Sequence, residues 1–104
     1  MHVISRKRLI EFLETYDDAR ASLTHWYTQM RKHNIESFTD LKYLFPSVDR
    51  VENKTVFNIS GNKYRLIAAI HYNRRKVYIR AILTHVQYDR GQWKKERSHD
   101  LNAN

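Results

Sequence analysis

The chain has 104 residues, 41% hydrophobic and 29% charged, and no cysteine, which suits one globular domain and excludes a disulfide frame, a thiol nucleophile and a cysteine-based zinc site. No apolar run approaches the roughly 20 residues that span a bilayer, and the first six residues lack a signal-peptide core, so a cytoplasmic protein with no membrane partner is expected. The net charge of +8 is one-sided: residues 1–53 hold eight basic and eight acidic side chains, residues 54–104 eleven basic and three acidic, a field that attracts a polyanion, nucleic acid first and an acidic protein or an anionic membrane second.

In chain order, Ser5 can cap a helix running to about Tyr16, with Leu9, Phe12, Leu13 and Tyr16 on one stripe. Asp17 or Asp18 can cap a second helix, in which Ala19, Leu23, Trp26, Tyr27 and Met30 recur at the spacing of a buried face. Ser37 starts a short helix over residues 38–44, ended by Pro46, which restricts Phe45. After Pro46 the apolar period changes from 3.6 to 2. Residues 48–51 suggest a short edge strand. Residues 54–60, 64–73 and 76–85 are rich in β-branched and aromatic side chains and read as strands. The expected fold is α+β, with two N-terminal helices packed on one face of a small antiparallel sheet. Residues 1–93 form the expected domain and residues 94–104 a polar, basic tail.

Turn chemistry sets the expected register. A two-residue Gly61-Asn62 turn pairs Phe57 with Leu66, Asn58 with Arg65 and Ile59 with Tyr64. A two-residue Arg74-Arg75 turn pairs Leu66 with Leu83, Ala68 with Ala81, Ile70 with Ile79 and Tyr72 with Val77. One face is then apolar and should carry the helices. The other holds Asn58, Arg65 and Thr84 in one row, with Ala69 beside Arg80 and His71 beside Tyr78.

His85 ends the last strand, and a turn or helical start after it returns Tyr88 and Asp89 towards it. Histidine titrates near neutrality and can relay protons, although a strand-end histidine is also often only solvated. Arg65 is either a phosphate clamp or a solvated strand arginine. Tyr88 can stack on a base, donate a hydrogen bond or simply be half-buried, and Asp89 can orient its neighbours or cap a turn. Asn58, Lys63, Arg80, Thr84, Lys94 and Lys95 complete a candidate RNA-binding set. No histidines pair with carboxylates at metal-ligand spacing, and no phosphate-cradling glycine loop is present, so neither metal nor cofactor is expected.

Three segments, Asn58–Ile67 (NISGNKYRLI), Val77–Arg80 (VYIR) and Thr84-His85-x-x-Tyr88-Asp89, together resemble the HigB family of RelE-like bacterial toxins. The likeness extends over the whole chain, including Leu44-Phe45-Pro46-Ser47, and departs at Gln87, where glutamate or another polar residue is expected. The resemblance implies a RelE-like fold and a type II toxin–antitoxin toxin, a ribosome-dependent mRNA interferase that cuts messenger RNA in the ribosomal A site. It also implies a HigA-type helix-turn-helix antitoxin, with operator DNA reached only through that antitoxin. Gly61, Asn62, Arg65, Thr84, His85, Tyr88 and Asp89 match the family's motif positions. His85, Arg65, Tyr88 and Asp89 are the expected catalytic residues. The alternative is a RelE-fold or basic RNA- or ribosome-binding protein that acts by binding, without catalysis.

Overall fold

The computed structural model describes residues 1–94; the expected tail, Lys95 included, lies almost wholly outside them. Five strands form one sheet in the order β1-β5-β4-β3-β2. They are β1 His2–Ile4, β2 Asp49–Val51, β3 Lys54–Ile59, β4 Tyr64–His71 and β5 Lys76–Thr84. The helices are α1 Arg6–Thr15, α2 Arg20–Lys32, α3 Phe38–Leu44 and α4 His85–Asp89, with a 3-10 turn, Asp17–Ala19, ahead of α2. The α+β expectation is met. One strand escaped it: β1 pairs parallel with β5, so the sheet is mixed. β1 is short and runs straight into a helical stripe, without the neighbouring strand pattern that marked the equally short β2 after Pro46, which left it invisible in the sequence.

Helix ends differ from expectation in their chemistry. Ser37 caps α3, its hydroxyl accepting from the Asp40 N–H at 3.3 Å. Ser5 precedes α1 in a left-handed conformation (φ 73°) and its side chain makes no cap bond. Asp17 and Asp18 do not cap α2 either. Asp17 accepts from Arg20 instead, and Asp18 is drawn towards Lys63 and Tyr64. The helical stripes do face the sheet. Leu9, Ala19, Leu23, Trp26 and Met30 are buried with Phe57, Ile59, Leu66, Ala68, Val77 and Ile79 in the main core, and Phe12, Leu13, Tyr16 and Tyr27 pack around it.

The β3–β4 register is as expected, with Phe57 opposite Leu66, Asn58 opposite Arg65 and Ile59 opposite Tyr64. The β4–β5 register is not. His71 pairs with Lys76, Ile70 with Val77 and Ala68 with Ile79, so the turn is four residues, Tyr72 to Arg75. A two-residue Arg74-Arg75 turn of the favoured kind needs two left-handed residues, at roughly 1–2 kcal/mol each for non-glycine. Centred one residue earlier, on Asn73-Arg74, the observed turn needs only Arg75 there (φ 55°). Beyond Ile79 a bulge inserts Arg80, and pairing resumes as Ile67–Ala81, Leu66–Ile82, Arg65–Leu83 and Tyr64–Thr84. The bulge exchanges the faces of the last four β5 residues. Ile82 therefore packs on the main core, while Ala81 and Leu83 join Val56, Ile67 and Trp93 in a second cluster. The expected row of Asn58, Arg65 and Thr84 is corrected to Asn58, Arg65 and Leu83. Tyr78 lies opposite Ala69, the place expected for Arg80.

Candidate active site

Thr84 ends β5 and starts α4. Its side chain accepts from the Gln87 N–H at 3.2 Å, and the Gln87 side chain accepts from the Thr84 N–H at 2.9 Å. This reciprocal cap satisfies two donors that a five-residue helix could not pair internally. It also explains why glutamine serves at position 87. The His85 N–H donates to the Lys63 carbonyl at 3.0 Å, tying the start of α4 to the turn before β4.

Four of the expected residues form two contacting pairs. Along α4, the His85 Nδ1 and an Asp89 carboxylate oxygen are 2.9 Å apart, both side chains about half exposed. That spacing is one helical turn, which brings i and i+4 side chains together. Across to the sheet, the Arg65 guanidinium lies over the Tyr88 ring, 5.5 Å from its centroid. Arg65 Nη1 donates to the Asn62 and Tyr64 carbonyls at 3.1 and 3.2 Å, so the turn holds one end of the guanidinium and the ring another.

Trp93 is the residue that sequence reasoning left out. Its ring stacks on Tyr88 at 5.4 Å and 14°, and its Nε1 donates to the Tyr88 carbonyl at 3.3 Å. Helical spacing does not bring residues five apart together; Gly91, at φ 71°, turns the chain back to do so. That glycine was the available signal. Burial pushes the Tyr88 phenol above its ordinary pKa, Asp49 adds to the rise, Arg65 opposes it and Asp89 adds a smaller push. The phenol is therefore protonated at neutral pH and can donate a hydrogen bond. With Trp93 stacked on the ring and Arg65 over it, the hydroxyl is what Tyr88 offers, rather than an open face for a base.

The remaining candidates sit apart from these pairs or play other parts. Asn58 is opposite Arg65 on β3. Lys63 is ion-paired with Asp18, which also accepts from the Tyr64 hydroxyl at 2.6 Å. The Lys63 and Tyr64 hydrogen bonds hold the Asp18 carboxyl below its usual range, and Asp18 in turn raises both partners. Arg80, at the bulge, stands 5.8 Å from the Tyr78 ring, and its buried Nε has no hydrogen-bond partner among the described residues. Lys94 extends over Trp93 at 5.7 Å. Among the described residues there is no cluster of three or more potential metal ligands, and no helix is long and apolar enough to cross a membrane.

The profile of a family described as HigB_toxin, the RelE-like toxic component of a toxin–antitoxin system, matches residues 19–91. The chain belongs to the HigB toxin family. Its relatives there include the mRNA interferase toxin HigB of Escherichia coli K12 and the mRNA interferase HigB of Shigella flexneri. Each is 33% identical over 92 residues, covering 86% of this chain and 88% of the relative. The mRNA interferase HigB of Escherichia coli O6:H1 is 24% identical over 93 residues, covering 86% and 90%. The HigB profile spans both contacting pairs, from the 3-10 turn through Gly91.

Proposed function

We propose that this toxin is an mRNA interferase, an endoribonuclease that cuts messenger RNA in the ribosomal A site without a metal. A HigA-type helix-turn-helix antitoxin neutralises it and alone connects it to operator DNA. The observation that carries the reading is the pairing of His85 with Asp89 on the helix that also presents Tyr88 to Arg65. Names of relatives that are a third identical, over most of both chains, support the same activity.

Scission needs a proton removed from the ribose 2′-hydroxyl, charge stabilised on the phosphate oxygens, and a proton delivered to the departing 5′-oxygen. Asp89 accepts from His85 Nδ1–H, which leaves Nε2 with the lone pair and available as a base. The imidazolium so formed, stabilised by the same carboxylate, can return a proton. The 2′-oxygen bonds to phosphorus as the 5′-oxygen leaves, giving a cyclic phosphate or its 3′-phosphate hydrolysis product and a 5′-hydroxyl end. Arg65 keeps Nη2 and Nε unbonded among the described residues, and these donors suit a phosphate acquiring charge. The Tyr88 hydroxyl adds a neutral donor. Asn58, Lys63, Arg80, Thr84, Lys94 and Lys95 are assigned to RNA contact, Lys63 after release from Asp18.

The test is primer extension on a translated message with purified ribosomes. Codon-spaced cuts that need ribosomes and survive chelation of divalent ions, compared at matched ribosome integrity, are expected. His85→Ala should lose about 10²- to 10⁴-fold in cleavage rate while ribosome binding persists. Ribosome binding with no cuts by the parent chain would instead make it a binder without catalysis.

A further inference from the structure

The end of the molecule away from His85 carries a second cationic site. β5 runs eight residue steps from Lys76 to Thr84, about 26 Å at 3.3 Å per residue, so the Tyr72–Arg75 loop and α4 lie at opposite ends of the same strand. Beside that loop, where α2 ends, is a cleft of about 240 Å³ lined by Arg31, Lys32, His33, Asn34 and Arg75, with Met1 at its edge. No carboxylate lines it. Arg31, Lys32 and Arg75 are all exposed. Arg31 and Arg75 both line the cleft beside the Met1 amino group, which donates to the Met30 carbonyl at 2.7 Å and is held below its ordinary pKa by burial first and then by Arg75 and Arg31; the Arg31 guanidinium also lies 5.5 Å from the Tyr27 ring centroid.

Two ordinary explanations fall short. Basic residues in the last turn of α2 complement the helix dipole, but that dipole amounts to about half a negative charge, against three full positive ones. A casually solvated loop arginine would not need position 75, where φ is 55° and non-glycine residues are strained. The backbone there is pinned by the His2 N–H donating to the Arg75 carbonyl at 2.8 Å, so the arginine is held where it stands. We propose that this cleft binds the phosphodiester backbone of RNA, as a second anchoring site on the opposite end of β5 from the candidate catalytic pairs. The inference rests on the RNA-directed reading above.

An acidic protein segment is the competing occupant, and the lining argues against it. The groove between α1 and α2 offers the contrast: Leu9, Ile10, Leu13 and Leu23 form an apolar floor, with Arg6 and Arg20 beside it. The cationic cleft has no such floor, and its one large aliphatic lining residue, Ile35, is 1% exposed. Phosphates need charge and donors without apolar burial; a peptide needs both.

The experiment uses the full chain carrying His85→Ala, so that RNA stays uncut, with a labelled hairpin RNA titrated over a range of salt. Adding Arg31→Gln and Arg75→Gln should weaken binding several-fold and flatten the slope of log affinity against log salt by about one per arginine. Arg31→Lys with Arg75→Lys should retain the slope, and thermal melting should be the same for all three. An unchanged slope in the glutamine variant, with RNA bound by the parent, overturns this inference alone. A parent that binds no RNA also overturns this inference, while the functional reading stands or falls on the primer extension with ribosomes. Poly-glutamate binding that falls in the glutamine variant while RNA binding does not would give the cleft to an acidic protein and also overturn the proposal.

Discussion

The two hairpins that share β4 solve the same problem differently. Between β3 and β4, Ser60 and Gly61 take positive φ, and the strands meet in the register that the Gly61-Asn62 pair implies. Between β4 and β5 no glycine is available. The loop has the same four residues between its last paired positions, Tyr72 to Arg75 against Ser60 to Lys63, but only one of them, Arg75, is left-handed, and the bulge at Arg80 shifts the register later. The lesson is that a turn rich in glycine and asparagine announces register, whereas one made of arginines postpones it. The bulge then decides which β5 side chains face the helices and which face Trp93.

The largest effect is expected from a matched pair of truncations on the two faces that the bulge sorts. Leu66→Ala and Ile67→Ala, at residues 0% and 1% exposed on opposite faces, should each lose about 2–5 kcal/mol. Only Ile67→Ala should also depress cleavage by protein that remains folded, because Ile67 packs in the cluster beneath Trp93 and Tyr88. Equal cleavage per folded molecule in the two variants would uncouple that cluster from the site.

The turns themselves invite reciprocal changes. A Cβ at Gly61 meets nothing within 4 Å, so Gly61→Ala suffers only from its φ of 66° and should lose roughly 1 kcal/mol. Arg75→Gly should gain a comparable or smaller amount; melting that moves the other way in either variant would refute the account of the loops. The smallest effect concerns acid. The Asp18 carboxyl is held below its ordinary value of 3.8, first by its hydrogen bond from Lys63. Its contribution is therefore present above that pH and is lost as pH falls through the depressed folded value. Asp18→Asn should flatten the stability profile below about pH 4 and leave its shape near neutrality unchanged.

Much of this architecture was readable before any coordinates. The stripes Leu9–Phe12–Leu13–Tyr16 and Leu23–Trp26–Met30 report burial because a helix repeats its face every 3.6 residues, and the strands after Pro46 do so with period 2. The β1 strand and the Arg80 bulge were not readable, since β1 is short and adjoins a helical stripe rather than other strands, and an inserted residue leaves no compositional mark. At the site, the i,i+4 spacing of His85 and Asp89 and the strand position of Arg65 were legible. Trp93 was hidden because its approach to Tyr88 depends on Gly91 reversing the chain. The diversion of Lys63 to Asp18 was hidden too, since it joins residues 45 apart in sequence.

The bond from the His85 amide to the Lys63 carbonyl has an evolutionary corollary. Because main-chain atoms make it, any side chain except proline can occupy position 85, and any at all position 63, without severing it. Such a peptide-to-peptide brace lets surface chemistry around the imidazole drift between homologues while the spacing of helix and turn stays put.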